Sequence, residues 1–201
     1  RQSDVGAAPV YSTFSLWDTF RDAHPLYEKL VPERVPGFVN SLLAHYDRWG
    51  YLPQWELWGR ETGGMIGSHA VPVVVDACLH GFLKGPDVEK AYRAVRDTLT
   101  KEERPGKGAL YPRRTDWKVY DAYGYYPFDI KPRESASSTM EAAYDDWCMA
   151  RFAEAMAPSG PDPVPFASQV AETWKAAHDN NQGILHRMKA LYMPICTTVM
   201  R

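Results

Sequence analysis

The sequence is poor in cysteine: Cys78, Cys148 and Cys196 are the only three in 201 residues. An odd number at wide spacing gives no disulfide framework, and no CxxC pair is present to hold zinc. Cys78 and Cys148 lie among apolar residues in segments with helical periodicity, which predicts buried free thiols. The cysteines therefore exclude a disulfide scaffold and leave the compartment open.

The sequence also lacks an excess of charge of either sign. It has 23 basic and 25 acidic residues, a net charge of −2, without a basic run or a helix with a cationic face. Such a surface does not favour a polyanion, so no nucleic-acid partner is expected. No apolar stretch approaches the roughly 20 residues that cross a bilayer, and no signal peptide is recognisable. We therefore expect no membrane span.

Common catalytic motifs are missing too: there is no GxSxG, no glycine-rich phosphate loop and no HExxH. Aromatic residues, in contrast, are abundant at 13%, with 7 Trp and 12 Tyr. Trp and Tyr serve both at the edges of a core and on surfaces that bind sugar rings. Composition favours the core, so the position of the rings along the chain has to decide.

Periodic apolar residues predict a succession of amphipathic helices. The clearest spans residues 32–49, where Pro32 suits the first turn and Gly50 the end. Residues 69–83 are apolar almost all round, which favours a buried helix over a strand. The remaining predicted helices span 12–23 (ending near Pro25), 88–100 (capped by Asp87), a capping box at Ser138 to about 156, and 166–178.

Glycine and proline mark the connections between these helices. Residues 51–68 and 101–134 are predicted to be loops, and 158–165 a turn or linker. Long ordered loops within a compact domain are usually functional. The predicted fold is all-α, with about six helices mostly in hairpins, an arrangement compatible with an α/α toroid.

The first candidate site surrounds Trp17, Asp18 and Arg21. Asp18 and Arg21 are three residues apart, which on a helix favours an ordinary ion pair. The functional alternative is a sugar clamp. In it the carboxylate accepts vicinal hydroxyls, the guanidinium donates to ring oxygens and the indole packs against a C–H face.

The second candidate site is the glycine-rich stretch that contains Trp55, Glu56, Glu61 and His69. So many Trp, Glu, Arg and His side chains are compatible with two interpretations of equal weight. One is a binding loop, and the other is a loop held in place by buried Trp and an Arg–Glu pair. His69 by itself is more typical of a capping or core histidine than of a catalyst.

Two further stretches concentrate aromatic and acidic residues. The rings between Tyr111 and Phe128 favour a loop with its own small core over a sugar cleft. Asp145 and Asp146 are adjacent, and neighbouring helical residues point about 100° apart, so they do not form a facing catalytic pair. One of the two is expected to face the site and the other to bond the backbone or a neighbouring helix.

Four stretches, in order, carry a resemblance to one enzyme family. They are YSTFSLWDTFRDAHPL from Tyr11, GYLPQWELWGRETGGMIGSHAVPVVVDACLHGF from Gly50, GYYPFDI from Gly124 and SSTMEAAYDDWCMARFAEAM from Ser137. Together they resemble glycoside hydrolase family 92 over residues 9–156.

The resemblance implies calcium-dependent, inverting exo-α-mannosidases built from an N-terminal β-sandwich and an (α/α)6 toroid. It implies that residues 1–201 are part of the toroid, and that the sandwich and the C-terminal part of the module are missing partners. α-Mannosyl glycans are the implied substrates, and family members are often secreted or periplasmic. The implied mannose-binding residues are Trp17, Asp18, Arg21, Trp55, Glu56, Glu61 and His69, supported by Asp145 and Asp146.

The family's catalytic motifs are absent from the sequence. The resemblance places the general acid in E-G-N-x-W-Q, calcium near N-E-P and the general base in G-N-D-D-x-G, all expected downstream of Arg201. No catalytic residue or calcium ligand is therefore expected in this chain, which should be inactive alone. The alternatives are a non-catalytic carbohydrate-binding or scaffold remnant, and a different inverting glycosidase with Glu61 as acid and Asp18 as base.

Overall fold

A computed structural model describes residues 9–11, 14–57, 60–100, 117–130 and 133–156. Their regular structure is helical apart from one pair of two-residue strands, which confirms the all-α prediction. None of the helices in these ranges is long and apolar enough to cross a membrane. The chain divides into two compact units, residues 1–117 and 118–201. Closure into a toroid stays a prediction.

The first unit begins with two short helices, α1 (Leu16–Thr19) and α2 (Ala23–Leu30). The single helix predicted over 12–23 is therefore wrong where residues are described. Pro25 does not end a helix but lies in the first turn of α2, where a backbone N–H would have no helical partner anyway. The sequence thus predicted that a helix ends near Pro25, where helix α2 in fact begins.

Helix α3 (Val35–Trp49) follows a 3-10 turn at Pro32–Arg34 and ends at Gly50, whose φ is +78°. This left-handed conformation costs glycine little, and its N–H bonds the carbonyl of Tyr46 at 2.7 Å. The helix predicted over 32–49 is confirmed. Its buried face carries the predicted three–four spacing: Val35, Phe38, Val39, Leu42 and Leu43.

Helix α4 (Ala70–Leu79) lies at the centre of the first unit and contacts α2, α3 and α5 (Pro86–Thr100). Residues 70–75 are all buried, which confirms the predicted all-round apolar helix. The predicted cap of α5 is wrong, because the helix already begins at Pro86 and Asp87 lies in its first turn. Proline suits this position because it lacks the N–H that would be unpaired there.

The segment between α3 and α4 is mostly irregular, as predicted. It contains one antiparallel pair of short strands, β1 (Glu56–Leu57) and β2 (Arg60–Glu61), in which Glu56 lies opposite Glu61. The start of the segment is attached to α5, because the N–H of Leu52 donates to Thr98 Oγ1 at 2.8 Å. The loop therefore leaves from a rigid helical core.

His24 of α2 is buried in an aromatic cluster. The rings of Phe14, Tyr27 and Phe38 have their centres 4.9, 5.7 and 6.3 Å from its imidazole. Its Nε2 is buried and has no hydrogen-bond partner in the described part of the chain. Burial lowers the pKa of His24 from 6.5 to about 4, so the folded protein holds a neutral imidazole at pH 7.

The buried His24 predicts a loss of stability in acid. Its pKa is lower in the folded than in the unfolded chain, so its contribution is complete above pH 6.5 and is lost as the pH falls towards 4. The difference amounts to about 3 kcal/mol. Substituting His24→Phe should reduce the loss of unfolding free energy between pH 7 and pH 4 by that amount, measured by urea unfolding. An unchanged pH dependence in the variant would contradict the burial argument.

The second unit contains helices α6 (Trp117–Tyr123) and α7 (Ser135–Met156). The loop predicted over 101–134 is wrong at α6, and its residues 101–116 lie outside the described ranges. The predicted capping box at Ser138 is also wrong. The N–H of Ser138 bonds the carbonyl of Glu134 at 2.8 Å, as inside a helix, because α7 begins one turn earlier. The predictions for 158–165, 166–178 and the C-terminal tail fall on residues that the structure does not describe.

The aromatic stretch in the second unit forms its own small core, as predicted. Tyr120 and Tyr126 are buried with Ala142 of α7, and the two tyrosine rings lie 5.1 Å apart. The N–H of Tyr126 donates to Thr139 Oγ1 at 3.0 Å, which attaches the loop to α7. The outer rings of the stretch, Tyr123 and Tyr125, are exposed.

Both cysteines in the described ranges are free thiols, as predicted. Cys148 is buried and Cys78 is partly buried. Burial raises the pKa of Cys78 to about 12, so its thiol stays protonated and unreactive at neutral pH.

Candidate functional site

The first candidate stretch begins with Asp18, an exposed carboxylate on α1. One of its oxygens accepts a hydrogen bond from the hydroxyl of Ser15. The prediction of an ordinary ion pair between Asp18 and Arg21 is wrong. Arg21 Nε instead donates to the carbonyl of Trp17 at 3.3 Å. Asp18 thus keeps acceptor positions directed to solvent.

Arg21 lies across two aromatic rings. Its guanidinium carbon is 5.1 Å from the centre of the Trp17 ring and 4.6 Å from that of Phe20. Stacking of this kind favours a cation over the π face and fixes the side chain. A sugar packed on Trp17 would have to use a part of the indole that Arg21 leaves open.

Two buried polar atoms belong to helix α1. Trp17 Nε1 and Thr19 Oγ1 are shielded from solvent and have no hydrogen-bond partner among the residues described. Buried polar atoms almost always have a partner. A polar group from outside the described ranges would therefore be stabilised by a hydrogen bond to either atom.

Phe20 joins the first stretch to the second. Its ring stacks on the imidazole of His69, with centres 4.3 Å apart and planes 8° apart. His69 is almost fully buried at the start of α4, and its side chain makes no capping hydrogen bond to that helix. His69 was expected to be either a capping or a core histidine, and it is a core histidine. The stack brings Trp17, Arg21 and His69 into one neighbourhood.

Glu61 is buried, with 3% of its surface exposed, and its carboxylate organises the loop. It accepts backbone N–H bonds from Gln54 at 2.5 Å, Trp55 at 3.2 Å and Gly63 at 2.8 Å. Three such bonds engage both oxygens of the carboxylate. Glu61 therefore holds the loop in shape and is not free to deliver a proton to a substrate.

Glu56 is the more exposed carboxylate of the pair and lies opposite Glu61. Burial, and after it the negative charge of Glu61, raises the pKa of Glu56. A raised pKa favours the protonated form, which can both donate and accept hydrogen bonds. Trp55 beside it is half-buried.

Asp145 and Asp146 lie in the second unit, and both are buried. The flanking rings of Tyr144 and Trp147 are exposed on α7, and they stack with centres 6.1 Å apart. The two carboxylates thus belong to the interior of their unit, as supporting residues would. That one of them faces a sugar stays a prediction.

The calcium implied by the resemblance takes about six to eight oxygen ligands. One group in the described ranges brings three metal-binding side chains together, and it consists of Glu28, Asp76 and His80. Two carboxylates and an imidazole are too few oxygens for calcium, so this group is not suited to that ion. The calcium of the complete module stays a prediction.

Comparison with known proteins gives one family. The family model described as the glycosyl hydrolase family 92 catalytic domain matches residues 2–191. No curated protein matches the chain.

Solved structures give the same relationship. A family GH92 inverting mannosidase from Bacteroides thetaiotaomicron is 31% identical, with a TM-score of 0.71, and the match covers 86% of this chain. A family GH92 alpha-mannosidase from the same bacterium, solved in complex with mannoimidazole, is 35% identical with a TM-score of 0.68 over 86% of this chain. The match covers only 21% and 20% of those two proteins. The chain thus spans about a fifth of their length.

Proposed function

The chain belongs to glycosyl hydrolase family 92, and from this premise we propose that it is a segment of an inverting exo-α-mannosidase. It contributes part of the pocket that binds a terminal α-mannosyl residue and does not hydrolyse the glycosidic bond alone. Calcium acts in the complete module through ligands outside the described residues. The substrates of the complete enzyme are glycans that end in α-linked mannose.

The Phe20–His69 stack is the observation that carries the proposal. It places the residues before α2 against the residue that begins α4, and these are two of the stretches expected to bind mannose. Rigid helices behind a binding loop reduce the entropy lost when the ligand binds. A pocket wall of this kind holds its shape before the sugar arrives.

Asp18, Arg21 and Trp17 have complementary chemistry for a sugar. The exposed carboxylate of Asp18 accepts hydrogen bonds from two neighbouring hydroxyls. The cation of Arg21 is held over the rings of Trp17 and Phe20, where it donates to a sugar oxygen. Trp17 Nε1, which has no partner among the described residues, is a further donor for a glycan hydroxyl or a missing part of the module.

A second function, carbohydrate binding without catalysis, is favoured by the state of Glu61. With three backbone N–H groups on its carboxylate, Glu61 does not serve as the acid of a different inverting glycosidase. The exposed Asp18 remains available to bind hydroxyls. Either function therefore has this chain bind a mannoside without cleaving it.

Binding of methyl α-mannoside to the purified chain tests the proposal. Saturation-transfer NMR of the wild type should detect the mannoside, and Asp18→Asn should bind it at least about ten times more weakly. Hydrogen bonds to a charged group contribute about 1.5–3 kcal/mol each, which sets that factor.

Asp22→Asn is the matched control. Asp22 is an exposed carboxylate four residues away whose side chain makes no capping hydrogen bond to α2, so its loss should leave binding unchanged. Equal binding in Asp18→Asn and the wild type, or stronger binding of methyl α-galactoside, would contradict the assignment of Asp18.

A further inference from the structure

A cluster of Glu28, Asp76 and His80 lies away from the proposed mannose residues. Asp76 and His80 are one turn apart on and just beyond α4, and Glu28 comes from the neighbouring helix α2. His80 Nδ1 is 2.7 Å from Glu28 Oε2 and 3.6 Å from Asp76 Oδ1. One atom from each of the three side chains lies within 4.8 Å of the others. One imidazole thus faces two carboxylates from different helices.

The burial of Glu28 makes its proximity to the carboxylate of Asp76 energetically unfavourable. Its side chain is only 7% exposed, whereas Asp76 and His80 are 41% and 55% exposed. The nearly buried carboxylate of Glu28 thus lies within 4.8 Å of the carboxylate of Asp76. Two carboxylates brought together at the edge of a core are stabilised by a cation between them.

We propose that Glu28, Asp76 and His80 bind one divalent transition-metal ion of the zinc type, which fastens α2 to α4. This site is independent of the proposed mannose binding. Imidazole nitrogen with carboxylate oxygen is a donor set that suits zinc and its neighbours, whereas calcium and magnesium prefer oxygen alone.

The geometry is close to what the ion needs. Bonds of about 2.0–2.2 Å in a tetrahedral site put neighbouring ligand atoms roughly 3.3 Å apart. The two separations from His80, 2.7 and 3.6 Å, lie on either side of that value, and the third, between the Glu28 and Asp76 oxygens, is no more than 4.8 Å. Side-chain rotations would bring the three atoms around one ion. The exposure of His80 leaves room for water as a fourth ligand.

The position of the cluster points to a structural role for the metal. The Phe20–His69 stack joins the end of α1 to the beginning of α4, and the cluster joins later turns of α2 and α4. With a rise of about 1.5 Å per residue, Asp76 and His80 lie roughly 10 and 16 Å along α4 from His69. The metal would therefore hold the two helices side by side behind the sugar-binding residues.

Metal titration of the full 201-residue chain, stripped of metal, tests the proposal. Co²⁺ should give visible absorption bands of a nitrogen–oxygen site at one equivalent, and Zn²⁺ should displace it. Saturating Zn²⁺ should raise the Tm by several degrees, because a ligand that binds the folded state stabilises it. Calcium at millimolar concentration should produce no such shift.

His80→Gln and Asp76→Asn should each weaken Zn²⁺ binding at least about tenfold and remove the Tm shift. Both residues are partly exposed, so these variants keep the fold, which circular dichroism checks. Asp47→Asn, which removes an exposed carboxylate paired with Lys90, is the matched control and should bind as the wild type does. Metal held by other groups appears equally in all four proteins and cancels.

Equal Zn²⁺ binding in the wild type and His80→Gln would overturn the proposal. So would the absence of wild-type binding at 100 µM Zn²⁺, a concentration roughly a hundredfold above a micromolar Kd. In that case the hydrogen bond between His80 and Glu28 alone joins the two helices at this point. Neither outcome bears on the binding of mannosides, which is read by the Asp18→Asn variant.

Discussion

The Glu61→Gln variant should lose about 4 kcal/mol of unfolding free energy, because three buried or partly buried backbone N–H groups lose a charged acceptor. The carboxylate of Glu61 bonds the N–H groups of Gln54, Trp55 and Gly63. A glutamine of the same shape offers one oxygen, and its NH₂ group points a donor at another donor. The result is at least one backbone N–H without an acceptor and a weaker, uncharged acceptor for the others.

Glu56→Gln is the matched control for this substitution. Glu56 is a glutamate of the same loop, directly opposite Glu61 in the strand pair. Its pKa is raised by burial and by the charge of Glu61, so the folded protein favours its ionised form less than the unfolded chain does. Removing that charge should leave the unfolding free energy at pH 7 unchanged or slightly higher, by no more than about 0.5 kcal/mol.

Chemical unfolding of both variants beside the wild type distinguishes the roles of the two glutamates. A large loss in Glu61→Gln with little change in Glu56→Gln identifies Glu61 as the residue that shapes the loop. If Glu61→Gln were as stable as the wild type, its carboxylate would not be committed to the backbone. A catalytic role for it would then become tenable.

The helices of the first unit could be predicted where their signals are local. In α3 the apolar spacing, the early proline and the closing Gly50 all agree, and the helix forms where predicted. In α4 the apolar run identified a helix buried on every side. Local propensity and burial point the same way in both, so tertiary contacts have nothing to override.

The errors occur where one residue has two meanings. Proline both ends helices and fits their first turn, and Pro25 and Pro86 both lie in first turns. Ser138 has the sequence of a cap but lies inside α7, since Ser135 already belongs to that helix. The choice between these meanings depends on packing with distant segments, which a local pattern does not contain.

The sequence predicted which residues belong to the candidate site, but it did not predict the contacts between them. Asp18 and Arg21 were expected to pair, yet the rings of Trp17 and Phe20 hold the guanidinium instead. Phe20 itself was missed as a site residue, although its place between Asp18 and Arg21 was a signal that it would lie near the clamp. Its stacking on His69 joins segments far apart in sequence, and no periodicity encodes such a contact.

Glu61 shows the same limit for an acidic residue. In sequence it was one of several polar residues in a glycine-rich loop and a conceivable acid. Its function in the structure comes from backbone N–H groups, which every residue except proline carries and which no motif therefore marks. The family resemblance identified the loop, and only the geometry separated the residue that shapes it from those available to a ligand.

The measurement that tests the central claim most directly is hydrolysis of an aryl α-mannoside by the purified chain in the presence of calcium. An inverting glycosidase needs two carboxyl groups about 6.5–9.5 Å apart across the bond, one to protonate the leaving group and one to activate water. The sequence holds none of the three motifs expected to supply the acid, the base and the calcium ligands. Glu61 is bound to the backbone.

We expect the chain to release aryl alcohol no faster than buffer does, while a complete family 92 mannosidase in the same assay turns over the substrate. Release by this chain at an ordinary enzymatic rate, and inhibition of that release by mannoimidazole, would contradict the account. The pocket would then be complete within these 201 residues.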